Sequence, residues 1–163
     1  IMSAASNYLE DKLLDHTLRG TSAPYSAPNP AYVALFADSG SAASDALETG
    51  TSGTASTGDW GYYEVLTTGN TNYARQSISF GAAGVPGGNT TGTIKTDTTV
   101  SFNVAGADYE TAGTTGNVIT HIAIMDQSTG GNVLFYGALT TPKTVSNGDQ
   151  FTISSGNLSI SLA

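Results

Sequence analysis

Two histidines, His16 and His121, are the only imidazoles in this chain, so acid–base chemistry near neutral pH falls first to them. His16 stands in an expected amino-terminal helix close to Lys12 and Asp15, and it reads as a surface or contact residue. His121 stands in an expected strand on the face opposite Ile122 and Ile124, where a core or interface histidine outweighs a catalytic one. Composition leaves a Ser-His-Asp relay open, yet no serine occupies the G-x-S-x-G context of a nucleophile elbow. Among the carboxylates, Asp38, Asp45, Glu48 and Asp59 fall in a stretch expected to be a mobile loop. Paired carboxylates for glycoside hydrolysis need a fixed separation of roughly 5–9.5 Å, which such a loop holds badly. Calcium on that loop, or on Asp108 and Glu110, is a minor option without a D-x-[DN]-x-[DN]-G pattern behind it. The glycine-rich GVPGG at residues 84–88 lacks the Lys-Ser/Thr of a phosphate loop. The chain has no cysteine, which removes disulfides and thiolate metal sites, and two histidines alone make a poor structural zinc site. No enzymatic activity, metal or cofactor is expected.

The residues best suited to recognition are aromatic and aliphatic. Trp60, the only tryptophan, is followed by Gly61, Tyr62 and Tyr63. These rings could form a stacking platform for carbohydrate or an interface hot spot. With equal weight, they cover the open end of the core. Leu9, Leu13 and Leu14 share a stripe on the expected helix, with Leu18 close to it. That stripe packs on the chain's own sheet or, in the sharper reading, docks on a neighbouring subunit.

Thirteen acidic residues against five basic ones give a net charge of −8, which argues against gripping phosphate backbones or an anionic membrane surface. Neither nucleic acid nor membrane is an expected partner. Only 11% of residues are charged, about half the usual share, so fewer ions need desolvating when this surface meets a partner. No apolar run approaches the roughly 20 residues that span a bilayer. The amino terminus lacks the basic-then-apolar pattern of a signal peptide, which fits assembly in a host cytoplasm and release inside a particle.

The elements that must hold these residues are mostly short strands. A helix is expected over Ser3–Arg19, with a capping-box pattern at Asn7–Glu10 and a stop at Arg19-Gly20. A Pro/Ser/Ala linker covers residues 21–30, and AYVALF at Ala31–Phe36 reads as a central strand. Residues 38–59 read as a long surface loop. A short strand is expected to begin at Glu64–Thr68, and clear ones at Tyr73–Phe80 and Thr98–Val104, with loops over 81–97 and 105–117. From Ile119 to Leu162, apolar residues alternate with polar ones, so each strand has a core side and a wet side. Asn147-Gly148 is a strong hairpin signal. The chain reads as a single domain over residues 1–163, with no internal repeat.

SNYLEDKLLDHTLRG at Ser6–Gly20, AYVALF, YARQSISF and the closing THIAIMDQSTGGNVLFYGALTTPKTVSNGDQF together resemble small structural proteins of tailed bacteriophages. Such proteins are labelled as virion or tail-fibre proteins, or look like jelly-roll cement proteins on capsids. The resemblance implies no catalytic residues. The fold class expected is all-β, an antiparallel sandwich or jelly roll of about eight strands with one short amino-terminal helix. The first functional expectation is a capsid cement protein on the capsid surface, bound to the major capsid protein and self-associated as a homo-dimer or homo-trimer. The alternative is a tail-fibre or receptor-binding component that recognises host surface glycans. Expected contact residues are Leu9, Leu13, Leu14, Trp60, Tyr62 and Tyr63.

Overall fold

The computed structural model describes residues 4–19, 25–37, 42–49, 58–83, 92–113 and 117–161. Its centre is the strand Val118–Met125 (β6), whose run VITHIAIM is rich in β-branched residues. β6 pairs antiparallel with Ala31–Phe36 (β2) on one side and with the twelve-residue Val133–Thr144 (β7) on the other. Ala4–Ala5 (β1) and Gln76–Ile78 (β3) complete a five-stranded sheet in the order β1-β7-β6-β2-β3. Two separate ribbons pair Thr93–Lys95 (β4) with Ser159–Ser161 (β9), and Val100–Ser101 (β5) with Thr152–Ile153 (β8).

The sheet is covered on both faces. Register places His121 opposite Phe36 and Ala138, and Ile122 opposite Leu35 and Gly137, so these two sets lie on opposite faces. The His121 face takes two helices, Asn7–Leu14 (α1) and Ala42–Thr49 (α2). The Ile122 face looks toward Phe151, Ile153 and Leu158 of the carboxy-terminal segment. This is why Ile119 and every residue from His121 to Met125 are buried. The expected wet side of β6 does not exist, because helices occupy it.

The expected all-β jelly roll is therefore corrected to a mixed α/β fold. Two α-helices are present among the described residues, and the antiparallel sheets are open, with β1 and β3 at free edges instead of closing a barrel. α2 falls inside the stretch read as a loop. Its Ala43, Ala46 and Leu47 recur at helical spacing and are buried, and burying a leucine fully contributes roughly 1.5–3 kcal/mol. The small, polar residues around that triplet masked a helix of only two turns. The remainder of the expected loop, residues 38–41 and 50–57, lies outside the described residues, as do 84–91 with GVPGG, 114–116, Gly20, most of the linker's first half (21–24) and Leu162.

Other expectations shift in extent. The first helix is shorter than Ser3–Arg19: Ser6, not Asn7, is its cap, accepting from the Leu9 N–H at 3.3 Å, and beyond Leu14 the chain widens into a π-turn at Asp15–Arg19. Ser6 Oγ also donates to the Val133 carbonyl, which ties the helix start to β7. The expected strands at 73–80 and 98–104 shrink to three and two residues. That expected at Glu64–Thr68 is reduced to single bridges, Glu64 to Phe36 and Val65 to Thr111. At Asn147-Gly148 the chain does turn, with Gly148 at φ +90° and Asp149 N–H donating to Ser146 C=O at 2.9 Å. The flanking strands do not pair with each other, however: β8 goes to β5, and β7 stays with β6.

Candidate interaction surface

Tyr73 and Arg75 stand two apart on an extended segment and so share a face, where they meet Glu64. Arg75 Nε and Nη2 donate to Glu64 Oε1 and Oε2 at 2.7 Å each, a two-pronged pair. Its Nη1 donates to the Gln127 and Gly130 carbonyls at 2.9 and 2.7 Å, fixing the tip of the β6–β7 hairpin. Tyr73 Oη donates to Glu64 Oε1 at 3.0 Å and accepts from the Leu35 N–H at 3.0 Å. Burial, and then the Glu64 carboxylate, hold the Tyr73 hydroxyl well above its ordinary pKa, so it stays protonated. The Arg75 side chain is 3% exposed, so the cluster is a structural clamp rather than a docking surface. Sequence reading missed it, although an arginine two residues after Tyr73, within the expected strand of an arginine-poor chain, was the available signal.

Trp60 belongs to the same clamp. It begins a 3-10 turn, Trp60–Tyr62, and is 1% exposed. Phe36 meets the indole edge-on at 6.5 Å, and the Arg75 guanidinium lies 5.0 Å from its centroid. A ring so enclosed presents no face to a sugar. Tyr63 is buried as well, and Tyr62 is half-buried against Tyr63 at 5.2 Å. On α1, Leu9 is buried, Leu13 is half-buried and Leu14 is 56% exposed; Leu18, on the π-turn, is 78% exposed. Leu9, Trp60 and Tyr63 thus belong to one core cluster with Leu13 and Tyr62 packed against it, while Leu14 stays exposed.

His121 makes the one arrangement with nucleophile–base geometry among the described residues. Ser44 Oγ on α2 lies 2.9 Å from His121 Nε2, and Thr120 Oγ1 lies 2.9 Å from Nδ1. In a hydrolytic triad the third group is a carboxylate that stabilises the imidazolium, and here a hydroxyl takes that place. The pair joins α2 to β6, beside a second polar tie from Glu48 of α2 to Tyr136 of β7.

A groove of about 690 Å³ lies between the outer half of β7 and residues 149–158. Its floor is apolar, formed by Leu139, Phe151 and Ile153. Its rim carries Thr140, Lys143, Thr144, Thr152 and Asn157, all exposed. Phe151 packs edge-on to Phe102 at 5.7 Å, and Phe102 stacks on Tyr73 at 5.9 Å, so the floor is continuous with the buried clamp.

Residues 4–161 match the family model described as Podophage GP4 fiber I protein gp80, and the chain belongs to that family. No curated protein matches it. Membership makes the chain a phage structural protein of the fibre type, and it corrects the expectation of a capsid cement protein bound to the major capsid protein. Self-association matched to a capsid lattice loses its premise with it. No described helix is long and apolar enough to cross a membrane.

Proposed function

We propose that this fibre-family chain is a tail-fibre component that contributes to attachment by contacting the host cell surface. Family membership across residues 4–161 carries the reading. A scaffold whose turns are pinned by Arg75 and whose groove stands open to solvent suits a protein that acts by binding rather than by a catalytic step. The Ser44–His121 pair is read accordingly as a tie between α2 and the sheet.

Two measurements test this. Purified chain should compete with phage for adsorption to host cells, and labelled antibody should decorate the tail of intact particles. Undiminished adsorption at saturating protein, with label confined to the head, would overturn the proposal.

A further inference from the structure

We infer that the groove between the outer half of β7 and residues 149–158 binds a short, uncharged oligosaccharide of the host surface, an inference that rests on the attachment reading above. The volume, about 690 Å³, lies inside the roughly 300–1,000 Å³ of small-ligand sites. Chemistry narrows the occupant further. The side chains of Thr140, Lys143, Thr144, Thr152 and Asn157 line the groove and make no hydrogen bond to another described residue. Their neighbours are committed: Gln150 Nε2 donates to the Phe102 carbonyl at 2.8 Å, and Asp149 Oδ2 accepts from the Ser146 N–H at 2.9 Å.

The rim therefore offers hydroxyls, an amide and one ammonium above a floor of Leu139, Phe151 and Ile153. A pyranose has the same division, with hydroxyls around its edge and C–H groups on its faces. A polyanion is disfavoured because the lining carries a single lysine and also Asp149, in a chain of net charge −8. An added peptide strand is disfavoured too, because Pro142 supplies no N–H to the edge of β7 and Lys143 places a charge there. The sequence offered the Trp60–Tyr63 rings as one option for sugar stacking beside covering the core; with Trp60 and Tyr63 buried, the groove is the better candidate.

The test uses the full chain and neutral oligosaccharides released from host surface polysaccharide, with binding read by titration calorimetry. Lys143→Ala combined with Asn157→Ala should weaken binding about tenfold or more, as loss of two hydrogen-bonding groups implies. Thr144→Trp, which fills the groove from an exposed position, should abolish it, while Leu14→Ala and Tyr62→Ala should bind as the parent does. Equal binding by parent and both groove variants would overturn the inference and leave the attachment reading standing. So would a parent that competes for adsorption but binds no oligosaccharide. A change of oligomeric state in the groove variants, seen by sedimentation, would name a second copy as the occupant and overturn it as well. A parent that fails to compete for adsorption removes the attachment reading itself.

Discussion

Arg75 closes on Glu64 with two bonds of 2.7 Å while its guanidinium lies 5.0 Å from the Trp60 ring. One side chain thereby joins the segment after the 3-10 turn, the sheet edge and the β6–β7 hairpin tip. Removing one partner leaves the other charge in a poorly solvated site. Arg75→Met should cost about 3 kcal/mol or more. For a chain of this length, each kcal/mol corresponds to a Tm drop of about 2–4 °C. Calorimetric unfolding of Arg75→Met, Glu64→Gln and the double variant should show a coupling above about 0.5 kcal/mol. Additive losses would contradict the clamp.

Tyr73 gives a pH dependence of definite sign. Its folded pKa lies well above the ordinary value of 10.0, chiefly through burial. Above pH 10 the unfolded chain loses this proton while the folded chain keeps it, so stability is fully present below that pH and falls as pH rises further. Tyr73→Phe should flatten the alkaline slope in denaturant titrations. The slope will not vanish, because Tyr8, Tyr25, Tyr109 and Tyr136 are also raised, each mainly by burial.

The two helices separate buried from exposed leucines. Leu47→Ala on α2 should destabilise by about 2–5 kcal/mol, as core truncations do. Leu14→Ala should stay within about 0.5 kcal/mol in the isolated protein. Trp60→Ala belongs with Leu47→Ala, at about 3–5 kcal/mol, and should register as lost stability before any loss of ligand binding. A folded, fully stable Trp60→Ala protein would contradict the enclosed ring.

Much of the sheet could be read from local pattern. Ala31–Phe36 forms the strand expected of a continuous apolar run, and the turn between β6 and β7 sits at Ser128–Asn132 as its glycines require. What escaped was decided at a distance. α2 has only three buried residues to announce it, and the alternation of β6 carries no sign that helices cover its second face. The Asn147-Gly148 turn was readable, but the strand that follows it pairs some 50 residues away, with Val100 and Ser101. For the candidate site, the aromatic cluster was found with two readings of equal weight, and the burial of Trp60 and Tyr63 favours the one in which the rings cover the core. The groove joins residues 139–144 to 151–158, and no short motif records it.

Gly131 and Gly148 test the two turns. Both hold positive φ, +74° and +90°, but a Cβ at Gly131 would overlap Asp126 Oδ1, while Gly148 faces open space. The Asp126 carboxylate is already engaged there, accepting from Asn132 N–H at 2.7 Å and Nδ2 at 2.8 Å. Gly148→Ala should cost about 1–2 kcal/mol through the left-handed backbone alone. Gly131→Ala should cost clearly more, checked by urea midpoints at constant slope. Equal losses would show that the Asp126–Asn132 bracket does not constrain the hairpin.

The central claim is that the chain works as a fibre component, and its copy number per purified virion tests that most directly. Quantitative mass spectrometry should find only a small number of copies per particle, consistent with a tail structure. Near-stoichiometry with the major capsid protein would contradict the account.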